Sequence, residues 1–326
     1  MKLTDITSGH YDAGEWEAKG YQLPKYDIAA VVKKTHEAPT WVHFGGGNIF
    51  RAFPAAILND ALNSGEYDRG VIVAETFDYD VVDKAYAPYD NLSLLVSLQS
   101  SGTIEKKVIG SVTEALKADF QHPDWQRLVE IFRNPSLQMI SFTITEKGYV
   151  VTPGDLERGL TPMLAMGKVT ALLYERYQAG ELPLTVQSMD NCSHNGDRVK
   201  TAVFAYAQRW LSDGLVPQGF IDYLSNESKV TYPWSMIDKI TPRPHQKVQE
   251  ILIADGFEDN AYIETAKHTF TAPFVNAEEV QYLVIEDNYT NGRPPLHLGG
   301  ALYTTRETVD QVETIKVTTC LNPLHT

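Results

Sequence analysis

Trp41-Val-His-Phe-Gly-Gly-Gly-Asn-Ile-Phe-Arg51 decides how this chain is read. A short, mostly apolar strand runs into three consecutive glycines, and a segment of helical spacing follows. Glycine lets the backbone turn sharply and lets another group approach it closely. The N–H groups that open the next helix then favour negative charge in front of them. A dinucleotide pyrophosphate is received in this way. The candidate phosphate contacts are the backbones of Gly45, Gly46, Gly47, Asn48 and Ile49. The pattern is not a full G-x-G-x-x-G, because Ile49 and Phe50 fill the later positions. A tight strand-to-helix turn with no ligand would use the same glycines.

The flanking sequence narrows the choice. Gly70-Val-Ile-Val-Ala-Glu75 is a continuous apolar run closed by an acid, the signature of a buried parallel strand. Glu75 lies 28 residues after Gly47, where an acid accepts hydrogen bonds from an adenosine ribose and repels a 2′-phosphate. NAD is therefore expected rather than NADP. Asp78 competes for the role, and Glu75 could also be an ordinary solvated acid at a strand end. Further strands are predicted at 40–44, 138–145 and 184–188, with helices at 27–34, 52–62, 125–132, 162–177 and 197–211. This alternation predicts an α/β fold with a doubly wound, Rossmann-type sheet covered on both faces. A helix starting near Phe53 would place Pro54 in its first turn, where proline is accepted. Residues 92–98 and 103–109 read as a hairpin around Gln99-Ser-Ser-Gly102, and residues 1–25 as an irregular arm. The texture changes after Pro242. A strand follows at 281–286, then a turn at Asn291-Gly-Arg-Pro-Pro295, then a helical stretch over 299–326. The expected division is a cofactor domain at 1–295 and the beginning of a helical domain at 296–326.

Composition limits the function classes. Hydrophobic residues make up 43% and charged residues 21%, as in ordinary globular proteins. No apolar run approaches the roughly 18–20 residues that span a bilayer, and the N-terminus lacks an apolar signal core. Two cysteines, Cys192 and Cys320, do not make a disulfide framework. A cytoplasmic enzyme is expected. The net charge of −14 and the absence of a Lys/Arg cluster argue against nucleic acid as a partner. Asp190, Cys192 and His194 lack zinc-like spacing, so no metal is expected.

Several segments together resemble the polyol-specific long-chain dehydrogenases, the family of mannitol 2-dehydrogenase, fructuronate reductase and tagaturonate reductase. They are Phe44-Gly-Gly-Gly-Asn-Ile-Phe-Arg-Ala52, Thr143-Ile-Thr-Glu-Lys-Gly-Tyr149, Ser188-Met-Asp-Asn-Cys-Ser-His-Asn-Gly196, Met236-Ile-Asp-Lys-Ile-Thr-Pro242, Val284-Ile-Glu-Asp287 with Gly292-Arg-Pro294, and the terminal Glu313-Thr-Ile-Lys316 with Asn322-Pro-Leu-His325. They occur in the family's order and cover nearly the whole chain. The resemblance implies a Rossmann-type domain followed by a mostly helical one, NAD(H), no metal, and a sugar or sugar-acid substrate. It implies Lys316 as the general acid/base and Glu313 as its proton exchanger with solvent. Asn191 and Asn322 would hold the substrate oxygen, and His325 would orient the substrate. Glu146 and Lys147, with Tyr149, would shape the nicotinamide end of the cofactor site, although strand-end packing and solvation explain Lys147 and Tyr149 equally well. A monomer is expected. The chain departs from the family in two ways. Five residues, 317–321, separate Lys316 from Asn322 where the family has four, which turns a side chain by about 100° on a regular helix. A local bulge, or a different lysine, would resolve this. Family members also run on well beyond the motif, so the chain is expected to hold only the start of the helical domain.

These residue types suit ketone reduction. Hydride arriving at carbon leaves negative charge on oxygen, which amide N–H donors stabilise more in the transition state than in the ground state. An ammonium whose pKa is depressed toward neutrality then supplies the proton. Glu313 shares a helix face with Lys316. This suits a mobile relay, and it also suits a routine surface ion pair. The expected reaction interconverts a ketose-type carbonyl and its secondary alcohol. Fructuronate reduction to D-mannonate leads, with mannitol 2-dehydrogenation and a non-catalytic NAD-binding fragment as alternatives. Arg293 and His297 are candidates for a substrate carboxylate by charge and position alone.

Overall fold

The computed structural model describes residues 1–316. They form two compact units, one built from 1–119 and 239–281, the other from 120–238 and 282 onward.

In the first unit β1 (Trp41–Phe44), β2 (Val71–Glu75) and β3 (Val112–Lys117) run parallel in the order β3-β2-β1. Val42 pairs with Ile72, and Ile72 with Glu114. Every residue of β1 and β2 is buried, as continuous apolar runs require. Gly70 admits the neighbouring strand: a Cβ there would lie 2.4 Å from the Ser111 carbonyl oxygen. α1 (Ile28–Glu37) starts at Asp27, whose carboxylate accepts the Ala30 N–H. The helix expected after the glycines arrives in two pieces, Asn48–Ala52 and α2 (Pro54–Asn63). Phe53, at φ −133° and ψ −75°, breaks the helix, and Pro54 takes the first position of the next, where its missing N–H costs nothing.

The hairpin forms as read, with Ser93–Leu98 antiparallel to Ile104–Ile109. It belongs to a separate four-stranded sheet with Tyr21–Gln22 and Phe274–Glu278. The arm at 1–25 is not irregular. It holds helices Leu3–Ser8 and Ala13–Ala18, the second capped by Asp12. Leu3, Ile6, Trp16 and Tyr21 pack with Leu252 and Phe257, so long-range burial rather than local periodicity orders this segment.

In the second unit β4 (Met139–Phe142), β5 (Leu184–Ser188) and β6 (Val230–Thr231) are parallel, with Met139 facing Thr185 and Leu184 facing Val230. α3 (Asp124–Arg133), α4 (Ala165–Gln178) and α5 (Asn195–Ser212) match the predicted helices to within a few residues. The stretch after 299 is not helical throughout. Leu302–Thr304 is a strand beside the end of Gln281–Glu286, and only then does α6 (Arg306–Ile315) begin. α6 buries Val309 against Met236 and Val284. Among the described residues no helix is long and apolar enough to cross a membrane.

One buried cation organises the layer around β4 and β5. Arg176, on α4 and fully buried, donates to the carbonyls of Phe132, Asn134, Leu137, Leu182 and Pro183 at 2.7–3.3 Å. Those carbonyls lie where α3 and α4 end and where β4 and β5 begin, and three of them have a second donor: Tyr223 on Leu182 at 2.7 Å, Asn291 on Leu137 at 2.8 Å and the Leu137 N–H on Asn134 at 3.3 Å. Burial brings the guanidinium pKa down to about 10, still far above neutrality, so the charge is kept. Replacing Arg176 with Met would remove all of its hydrogen bonds to these carbonyls at once. An Arg176→Met variant should lose about 3 kcal/mol or more of stability, read as a lower thermal midpoint by circular dichroism. An unchanged midpoint would remove Arg176 from this role.

Candidate active site

The glycine turn in the first unit is held from two sides. Gly45 sits at φ +103°, in the left-handed region, and its N–H meets the Ala74 carbonyl at 3.0 Å. The Gly46 N–H donates to Glu75 Oε2 at 2.9 Å, while the Tyr86 hydroxyl donates to the Gly46 carbonyl at 2.8 Å. A Cβ at Gly46 would lie 3.1 Å from the Tyr86 ring. Gly47 differs: a Cβ there would meet nothing within 4 Å, so open space faces the last glycine. Gly47 precedes the helix Asn48–Ala52, and first-turn N–H groups of a helix have no carbonyl behind them. Space plus N–H donors fits an anionic group at Gly47, Asn48 and Ile49.

Glu75 occupies the predicted strand end, but its carboxylate turns inward. Oε1 accepts from the N–H groups of Thr76, Phe77 and Asp78 at 3.0–3.3 Å, and the side chain is 8% exposed. Asp78 is also buried and accepts from the Thr265 and Thr269 hydroxyls at 2.6 and 2.5 Å. Arg51 is buried beside the loop. It donates to the Ala272 carbonyl at 2.7 Å, to Asn48 Oδ1 at 2.8 Å and to the Thr271 hydroxyl.

In the second unit, Lys316 ends α6 in helical conformation, at φ −57° and ψ −49°, where the chain leaves α-type hydrogen bonding. The residue is 7% exposed, and its ammonium lies 3.2 Å from Asp238 Oδ1. It donates to Asn191 Oδ1 at 3.4 Å and to the Ile237 carbonyl at 3.3 Å. Asn191 presents its amide oxygen to the lysine, which leaves its NH2 group for another acceptor. Lys316 and Asn191, 125 residues apart, are thus brought together. The carboxylate that pairs with Lys316 is Asp238, not Glu313. Glu313 instead accepts the His194 N–H at 3.3 Å. His194 stands at φ +50° before α5, stacks on Trp234 with ring centroids 4.1 Å apart, and meets Asp310 at 3.2 Å. Asn322 and His325 lie outside the described residues.

The loops after β4 and β5 are locked by a buried carboxylate. Asp190 accepts the N–H groups of Ile144 and Thr145 at 3.0 and 2.9 Å and the Tyr149 hydroxyl at 2.6 Å. Thr145 has φ +62°, a strained value for a β-branched residue, sustained by these bonds. Burial raises the Asp190 pKa and pushes the Tyr149 phenol well above its usual value, so Tyr149 remains a donor. Glu146 pairs with Arg198 at 3.4 Å, and Lys147 is exposed on the same turn. Arg293 grips Asp287 through two bonds of 2.8 and 2.9 Å and lies 3.6 Å from the Tyr303 ring centre, which commits it to the fold. Tyr86 and Asp238 were not singled out from sequence as site residues, and Asp190 was weighed only as a metal ligand. The signal for Asp238 was its place in Met236-Ile-Asp-Lys-Ile-Thr-Pro242; Tyr86 left none.

Known proteins resemble this chain over most of its length. The family model for the mannitol dehydrogenase Rossmann domain matches residues 39–298. A D-mannonate oxidoreductase from Thermotoga maritima is 51% identical over 97% of this chain and 60% of its own length. A polyol:NADP oxidoreductase from Gluconobacter oxydans is 30% identical over 86% of this chain and 55% of its own. The solved Pseudomonas fluorescens mannitol 2-dehydrogenase, a ternary complex with NAD and D-mannitol, superposes with a TM-score of 0.77 at 26% identity, covering 97% of this chain and 60% of that one. The chain thus spans little more than half the length of the relatives it matches. The matched domain and the motifs that carry it place the chain in the mannitol dehydrogenase family.

Proposed function

We propose that the chain is the cofactor-binding and catalytic part of an NAD-dependent oxidoreductase that interconverts D-fructuronate and D-mannonate. The observation that carries the reading is the buried Lys316 ammonium, set between the Asp238 carboxylate and the Asn191 amide. The relative named for D-mannonate oxidation supports the substrate. The loop at Gly45, Gly46, Gly47, Asn48 and Ile49 would hold the pyrophosphate. Bound NADH supplies the hydride. The chain's own residues do the rest. The Asn191 NH2 group donates to the carbonyl oxygen as negative charge develops there. Lys316 delivers the proton, and Asp238 fixes the ammonium in place. Glu313, which accepts the His194 N–H, would exchange the proton with solvent. Asn322 and His325 would complete the set. The protein works in the cytoplasm, as a monomer.

Saturable NADH binding is expected in a fluorescence titration of this chain, and absence of binding would remove the cofactor reading. With NADH, fructuronate should turn over faster than tagaturonate or fructose. A preference for fructose would make the enzyme a mannitol 2-dehydrogenase. NADH binding with no turnover of any of the three would leave a dinucleotide-binding fragment. Lys316→Ala should lower kcat by about 10²–10⁴-fold while the NADH Kd holds. Lys316→Arg should not rescue it, since a guanidinium does not release its proton near neutrality. Equal turnover in variant and parent would take Lys316 out of the mechanism.

A further inference from the structure

The acids expected to read the adenosine ribose are both spent inside the first unit. Glu75 gives its oxygens to the N–H groups of Gly46, Thr76, Phe77 and Asp78. Asp78 gives one of its own to two threonine hydroxyls. At 8% and 5% exposure, neither presents a free carboxylate to a sugar. The usual basis for rejecting a 2′-phosphate is a solvent-facing acid at this strand end, and here it is turned inward.

What stands outside is a cation. Lys267 lies at the tip of the hairpin formed by Ile263–Glu264 and Phe270–Thr271, and it is exposed. Its ammonium sits 3.9 Å from the centre of the Phe77 ring and donates to the Phe77 carbonyl. Neighbouring charges are matched: Lys84 with Asp80 at 2.8 Å, Lys117 with Asp83 at 2.7 Å, and His268 with Glu264 at 2.9 Å. Lys267 has no carboxylate partner among the described residues, although the whole chain carries a net charge of −14. The far end of the hairpin is tied to the glycine loop. The Asn48 amide donates to the Phe270 carbonyl at 3.3 Å, and the Thr271 hydroxyl donates to Asn48 Oδ1 at 3.0 Å. One small hairpin therefore runs from the phosphate-binding loop to the turn after β2, outside the carboxyl ends of the strands, where open α/β sheets bind their ligands. Phe77, 66% exposed, offers a ring face to a purine at that turn.

We propose that Lys267 reads the 2′ position of the adenosine ribose, so that the site takes NADPH as well as NADH. This rests on the dinucleotide reading above. A 2′-phosphate would replace water around an unmatched ammonium with a charge-assisted hydrogen bond, whereas a 2′-hydroxyl would leave that ammonium solvated as it is.

The test is a calorimetric titration of this chain and of Lys267→Gln with NADH and with NADPH, repeated with 2′,5′-ADP and 5′-AMP. The parent should bind NADPH within about tenfold of NADH. Lys267→Gln should weaken NADPH and 2′,5′-ADP by about tenfold or more, the scale of one charged hydrogen bond. It should move NADH and 5′-AMP by less than about threefold. Lys267→Arg should keep the NADPH affinity. If the parent binds NADH but not NADPH, or if Lys267→Gln affects both equally or neither, the assignment of Lys267 is wrong while the dinucleotide site stands. If neither cofactor binds, the dinucleotide site falls and this assignment with it.

Discussion

A strand buried on both faces has to end, and where it ends its peptide groups lose their ladder partners while still shielded from water. An unpaired buried N–H or C=O costs roughly 1–3 kcal/mol, so each end of such a sheet must be closed by a side chain that reaches it. Both units meet this requirement with buried charge. Glu75 collects the N–H groups beyond β2, Asp190 those beyond β4, and Arg176 the carbonyls around the starts of β4 and β5. A carboxylate answers donors and a guanidinium answers acceptors, and the sign of each ion follows from which end of the strand it serves. Every one of these ions is hydrogen-bonded, which is the condition under which a charge persists in an interior.

The same closures shape the chemistry. Glu75 and Tyr86 take the N–H and the C=O of the Gly46 peptide from opposite sides, so the loop is set before any ligand arrives. Asp190 holds Thr145 in a strained conformation and fixes Tyr149 in the same network. Asn191 and Cys192 follow directly in sequence, and burial together with the Asp190 charge pushes the Cys192 thiol up to about 11, so it is not a thiolate near neutrality. An ordered site loses little conformational entropy on binding, which is what preorganisation contributes to affinity and to transition-state stabilisation.

Much of this was legible beforehand. A continuous apolar run marked β2, helical spacing marked α3 to α5, and Pro54 marked the true start of α2. The N-terminal helices were not, because two turns of helix carry too little periodicity and are ordered by Leu252 and Phe257, more than 230 residues away. Leu302–Thr304 is too short to be read apart from the helix that follows it. For the site, the glycines and Lys316 came from motif and resemblance. The inward turn of Glu75 did not, since a sequence shows an acid at a strand end but not which N–H groups surround it. Nor did the choice of Asp238 over Glu313 beside Lys316: spacing on one helix favoured Glu313, and tertiary packing brought in a carboxylate from another segment.

Gly70 is closed to larger residues and Gly46 is tight for them, for different reasons. At Gly70 the obstacle is the main chain of the neighbouring strand, 2.4 Å from where a Cβ would sit. No change elsewhere in the sequence can move it without dissolving the sheet, so any lineage keeping this fold keeps that glycine. At Gly46 the obstacle is a side chain, the Tyr86 ring at 3.1 Å. A lineage that first shortened residue 86 could then accept alanine at 46, whereas one that tried the steps in the reverse order would pass through a strained intermediate. The two positions should therefore drift differently over evolutionary time, one fixed outright and the other fixed only while its neighbour is.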